Sequence, residues 1–160
     1  MLNVTILCIG KLKEQYLTAA CAEYAKRLSA FCRLTVTELP ESRLPDNPSD
    51  KLIEQCLKQE GEAILSRIPR DAFVIPMCIE GKMLTSPQLA AKLAQVPVSG
   101  KSQVVFVIGG SYGLWEAVKA RGDLRLSMSP MTFPHQLARV MLLEQIYRSF
   151  MINAGARYHK

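Results

Sequence analysis

The sequence predicts an α/β fold: a mostly parallel sheet with helices on both faces, built as a single domain over residues 1–160. Three observations carry this. Short apolar runs rich in Val and Ile alternate with longer segments of helical period along the chain. Strands separated by helices pair in parallel and bury their faces under those helices. The length, 160 residues, suits one domain, and no linker, internal repeat or low-complexity segment divides it.

The elements follow in order. Residues 2–9 form an unbroken apolar run closed by Gly10, the pattern of a strand covered on both faces. Residues 13–30 place Tyr16, Leu17, Ala20, Tyr24 and Leu28 at helical spacing. A second strand, 34–39, stops at Pro40, and the proline-bearing, mixed-charge stretch to Pro48 is a loop. Ser49 is placed to cap a helix running from Asp50 to about Arg67. A third buried strand spans 72–79. Ser86 and Pro87 read as N-cap and first residue of a short helix ending at Gln95. A fourth strand, 103–108, runs straight into Gly109-Gly110-Ser111-Tyr112-Gly113, and a short helix follows to about Ala120. A fifth strand covers 124–128, and a long amphipathic helix runs from His135 to about Asn153.

Composition narrows the function classes. With 49% hydrophobic and 21% charged residues, the chain is neither disordered nor fibrous. No apolar run approaches the roughly 20 residues of a membrane-spanning helix. The first nine residues lack the basic start and small-residue cleavage site of a signal peptide, so a cytoplasmic location and no membrane partner are expected. The net charge is +6, and residues 114–160 hold seven basic groups against three acidic ones. Most of the seven are arginines, whose forked donors suit phosphate, so an anionic partner such as nucleic acid is expected. The cysteines, Cys8, Cys21, Cys32, Cys56 and Cys78, are odd in number and form no CxxC pair. With only His135 and His159 beside them, no zinc spacing arises, and no metal is expected. They read as reduced, mostly buried small hydrophobes.

The chemistry concentrates in the second half. An apolar strand ending in clustered glycines lets backbone approach a ligand beyond the strand's carboxyl end, although the same residues also serve a tight turn. The cluster is neither GxGxxG nor a phosphate-binding loop with Gly-Lys-Ser/Thr. A dinucleotide-binding reading would use an acid after the second strand, and Glu38 is near such a place, but the first strand lacks the glycine fingerprint. Ser129 to Pro134, between the fifth strand and the long helix, is a rigid polar loop whose backbone groups are free to bind. His135 lies at the start of the last helix, where it or Thr132 would serve as a cap, and Arg139 follows one turn later. Glu144 and Arg148 are spaced as a solvated ion pair. The tail, Arg157-Tyr158-His159-Lys160, is of a kind that commonly frays, yet its cations and rings suit RNA. No Ser-His-Asp set, HExxH or paired carboxylate supports hydrolysis.

Several motifs in fixed order carry a resemblance. They are Phe106-Val107-Ile108-Gly109-Gly110-Ser111-Tyr112-Gly113, the run Leu126 to Arg139, Glu144-Gln145-Ile146-Tyr147-Arg148 and the terminal Tyr158-His159-Lys160. With Ile9-Gly10-Lys11-Leu12-Lys13 and Glu80-Gly81-Lys82, the likeness spans the whole chain. The sequence resembles the small SPOUT methyltransferases that act on N3 of a pseudouridine in 23S ribosomal RNA. The resemblance implies a C-terminal trefoil knot, which nothing in the periodicity reveals, and a homodimer. It implies S-adenosylmethionine as methyl donor, held by Met77, Gly109, Gly110, Met128, Ser129, Pro130, Met131, Thr132 and Phe133. Relatives often carry other residues at position 77, so binding there is expected through backbone. The acceptor would lie in a ribosomal RNA hairpin on assembled 70S ribosomes. N3 of a uracil-type ring is a weak acid, and His135, Arg139, Tyr158 and His159 are the candidates for handling its proton or stabilising the anion. One subunit would hold the cofactor and the other's tail would grip RNA. The competing reading is a non-enzymatic, ribosome-associated RNA-binding protein, which shares the basic tail but needs no glycine-lined pocket.

Overall fold

The structure, a computed structural model, describes residues 1–160. Its elements are β1 (Leu2–Ile9), α1 (Gln15–Leu28), β2 (Cys32–Leu39), α2 (Asp50–Ser66) and β3 (Phe73–Met83), then α3 (Ser86–Val98), β4 (Gln103–Ile108), α4 (Glu116–Arg121), β5 (Leu126–Ser127) and α5 (His135–Asn153). The strands form one sheet in the order β2-β1-β4-β3-β5. Every neighbouring pair is parallel.

Strand alternation sends successive side chains to opposite faces, and helices cover both. Val4, Ile6 and Cys8 of β1 and Val104, Phe106 and Ile108 of β4 pack with Leu28 of α1, Leu93 of α3 and Leu142 of α5. Leu7, Ile9, Val105 and Val107 pack on the other face with Ile64 of α2 and Val118 of α4. This double burial explains why the central strands read as unbroken apolar runs.

Four local expectations need correction. The N-cap of α3 is Thr85, not Ser86: its hydroxyl accepts from Gln88 N–H at 3.2 Å and Gln88 Oε1 accepts from Thr85 N–H at 2.8 Å. This reciprocal box outcompetes the single cap that Ser86 offers, and Ser86 Oγ instead donates to Gln145 Oε1 of α5 at 2.7 Å. Strand β3 runs on to Met83, where Lys82 N–H reaches Arg125 carbonyl at 2.9 Å. Strand β5 is only two residues long, because Asp123 and Leu124 turn their N–H groups onto the single carbonyl of Val74 (2.8 and 3.2 Å). Helix α5 carries no clean apolar stripe: α1 and α3 flank it and the sheet lies beneath, so its apolar residues spread around it.

The chain leaves β1 towards β2 and leaves β4 towards β5, on opposite sides. Strands whose connections diverge in this way open a crevice at their carboxyl ends. The glycine cluster, the 128–134 loop and the start of α5 all lie along that edge.

Candidate functional site

A cleft of about 820 Å³ lies at the carboxyl ends of β3, β4 and β5. That volume falls in the range of small-molecule sites. Its walls are Met77 to Glu80 of β3, Ile108 to Leu114, Lys119 of α4, Leu126 to Ser129, Met131 to Pro134, and His135 with Ala138 of α5. Half of the 22 lining residues are hydrophobic.

Two loops shape the cleft, and each follows from its sequence. The glycine loop doubles back on itself, with Gly113 N–H reaching Gly110 carbonyl at 3.1 Å. A Cβ on Gly109 would lie 2.4 Å from the Gly113 carbonyl oxygen, so only glycine permits the turn. In the second loop, Ser127 Oγ donates to Ser129 carbonyl at 3.0 Å and Ser129 Oγ accepts from Met131 N–H at 3.0 Å. The hydroxyls hold the turn, and no residue from 128 to 134 belongs to a helix or strand. Backbone edges there remain available to a ligand. Across the cleft, Lys119 pairs with Glu80. That hydrogen bond holds the Glu80 carboxyl below its usual range.

The structure gathers most of the expected residues. Met77, Gly109, Gly110, Met128, Ser129, Met131, Thr132, Phe133 and His135 line this one cleft. Pro130 does not line it. His135 does not cap α5: the N-cap is Pro134, and no side chain bonds the first turn. Arg139 is buried below the cleft floor instead of facing into it. Its Nη1 lies 2.7 Å from Glu38 Oε2 and its Nη2 donates to Gly10 carbonyl at 3.2 Å, while its Nε has no partner. One turn past His135, the guanidinium points at the β1–β2 edge of the sheet, where Glu38 offers charge compensation. The same pairing occupies Glu38, which also accepts from Leu12 N–H at 3.3 Å, so no free carboxylate waits there for a dinucleotide ribose.

The tail is ordered on α5 and lies outside the cleft within one chain. Tyr158 Oη donates to Glu144 Oε2 at 3.0 Å, and the Arg148 guanidinium sits 4.8 Å from the Tyr158 ring centroid. His159 Nδ1 is 3.2 Å from Arg148 Nη1. The Glu144–Arg148 pair, 2.8 Å apart, is largely covered rather than solvated. Burial and the Glu144 bond push the Tyr158 hydroxyl up. Burial likewise pushes the Cys8 and Cys32 thiols up to about 11 and raises that of Cys78 at the cleft wall, so none offers a ready thiolate. Sequence reasoning missed Glu80 and Lys119 as members of the site. The Glu80-Gly81-Lys82 run signalled only likeness, because the partner of Glu80 comes from 39 residues away.

Comparison with known proteins agrees with this picture. A family model described as "Predicted SPOUT methyltransferase" matches residues 2–159. A protein of Bifidobacterium adolescentis named "Ribosomal RNA large subunit methyltransferase H" is 51% identical over 159 residues, covering 99% of this chain and 100% of its own length. A protein of the same name from Clostridium novyi is 50% identical over 160 residues, again across 99% of this chain and 100% of that one. Among solved structures, a probable methylase family protein from Haemophilus influenzae Rd KW20 superimposes with a TM-score of 0.54 at 14% identity, over 98% of this chain and 70% of that chain. That likeness bears on the fold alone. Because the family model and two relatives of half-identical sequence each span it from end to end, the chain belongs to the SPOUT methyltransferases.

Proposed function

We propose that this protein transfers a methyl group from S-adenosylmethionine to N3 of a pseudouridine in 23S ribosomal RNA, on assembled 70S ribosomes. One observation carries the reading: the two loops on either side of α4 and β5, 109–113 and 128–134, wall the same cleft beside His135. The residues fit the proposed donor. Met77, Ile79, Leu114 and Leu126 make an apolar slot for a purine ring, and the loop backbones offer hydrogen bonds at its edges.

S-Adenosylmethionine supplies a methyl carbon already activated for in-line displacement. The protein's work is to hold donor and acceptor in line and keep water out. The 109–113 and 128–133 loops take the donor. His135, at the rim, takes the N3 proton. Arg139 sets the floor through Glu38 and the Gly10 carbonyl and does not touch substrate.

The rRNA target rests on the names of the half-identical relatives and on the basic C-terminal third. In a homodimer, one subunit's cleft would face the other's Tyr158 and His159, so a second chain supplies the RNA grip that one chain lacks. The C-terminal trefoil knot that the family likeness implies is part of this reading.

The test is transfer of labelled methyl from S-adenosylmethionine to assembled ribosomes lacking the modification, with mapping of the labelled base. Label at a pseudouridine N3 is the expected outcome. Cofactor binding without label would move the acceptor to another RNA. Neither binding nor label would favour the non-enzymatic RNA-binding role.

A further inference from the structure

Next to the cleft, Gly10 follows the carboxyl end of β1. A Cβ placed on Gly10 would lie 3.4 Å from Glu41 Oε2 and 3.4 Å from His135 Cε1. One placed on Gly110 would lie 3.4 Å from Glu41 Oε1 and 3.5 Å from Glu60 Oε1. Glu41 and His135 thus both border the space over Gly10, with no hydrogen bond or ion pair between them.

Glu41 is held there from two sides. Its Oε1 accepts a hydrogen bond from Ser111 Oγ at 3.1 Å, which ties it to the glycine loop. Its neighbour Ser42 donates its backbone N–H to Glu60 Oε2 at 3.0 Å. Glu60 is 5% exposed, and burial raises its carboxyl above the ordinary range. So a buried group on α2 anchors the backbone that carries the exposed carboxylate. The other charged groups near His135 are that same Glu60 and, one turn along α5, Arg139. Arg139 is matched by Glu38 at 2.7 Å. No lysine or arginine pairs with Glu41.

We propose that Glu41 is a positioning residue for His135. Its carboxylate, which shares the space over Gly10 with the imidazole, steadies the ring as it becomes a cation. This deepens the proposed function and rests on it. In the step concerned, the proton on pseudouridine N3 passes to the free imidazole nitrogen of His135. The N3 electron pair forms the new nitrogen–carbon bond, the carbon–sulfur bond breaks with its pair left on sulfur, and the imidazolium returns its proton to water. A carboxylate near an imidazole favours that cationic state.

The experiment compares the full-length wild type with Glu41→Gln and Glu41→Asp. Methyl transfer to ribosomes is followed against pH at saturating cofactor, and S-adenosylmethionine affinity is measured in parallel. Glu41→Gln should lower the plateau rate about tenfold, leave cofactor affinity unchanged and move the acid limb of the rate to lower pH. The sign follows because removing a neighbouring anion makes the imidazolium harder to form, so the base stays free at lower pH. Glu41→Asp should return the limb towards its wild-type position. An acid limb that stays in place in Glu41→Gln, whatever the plateau, would overturn the assignment.

Proton NMR titration of the His135 ring in wild type and Glu41→Gln, with His135→Gln to identify the signal, gives the same answer without turnover. A lower His135 pKa in the variant supports the pairing, and an identical one defeats it. Absence of methyl transfer by the wild type would instead count against the proposed function, and the NMR comparison would still decide the pairing.

Discussion

Glu60 shows how one buried carboxyl couples structure to pH. Its burial favours the neutral acid, so the folded chain keeps that proton to higher pH than the unfolded chain does. The native state then binds more protons across the window above the ordinary carboxylate range, and stability falls as pH rises through it. Glu60→Gln keeps an acceptor for Ser42 N–H and removes the charge. It should melt higher than wild type at about pH 8 and match it near about pH 4, read by thermal unfolding at both values; a variant less stable at both would contradict this. At this scale the sequence shows which residues carry chemistry but not their depth. The spacing of His135 and Arg139 is plain in the helical repeat. What sends one to the cleft rim and the other beneath its floor is the sheet edge below, and Glu38, 101 residues away, is invisible to local pattern.

Among the elements, α3 gives the clearest lesson in competition. Ser86-Pro87 is a good helix start, yet Thr85 with Gln88 satisfies two backbone donors where Ser86 would satisfy one. Thr85→Ala should cost about 1 kcal/mol, measured as a lower denaturation midpoint at unchanged slope; a loss no larger than that of Ser86→Ala would contradict the assignment of the cap. The ordinary signals served well elsewhere. Ser49 does cap α2, accepting from Leu52 N–H at 3.2 Å. Pro40 does end β2, and β1 and β4 run where their Val- and Ile-rich stretches lie. β5 shrank to two residues because its pairing is set by Val74 and Asp123, an arrangement without local signature.

At the scale of the whole molecule, alternation of strand and helix was enough to read a parallel, two-faced sheet. The strand order was not legible, since it depends on which side of the sheet each crossover takes. The glycine cluster and the 128–134 loop each marked themselves as candidate walls, but that they enclose one space emerges only when β3 and β5 pair. The tail is the converse case. Its composition invited a binding role, and the structure packs it on α5 against Glu144, Arg148 and Tyr147. If the proposed dimer presents it to the neighbouring cleft, deleting Tyr158 to Lys160 should abolish methyl transfer while leaving S-adenosylmethionine affinity nearly intact. Equal loss of both would place the tail's role within its own chain.

The central claim is that the glycine-turned cleft holds the methyl donor. Calorimetric titration of S-adenosylmethionine onto wild type and Gly109→Ala tests it most directly, with thermal unfolding as a check that both are folded. The added Cβ would collide with the Gly113 carbonyl at 2.4 Å, so the turn must shift. The wild type should bind, and a folded Gly109→Ala variant should bind at least about tenfold more weakly. Equal affinity in the two, or no binding by the wild type, would contradict it.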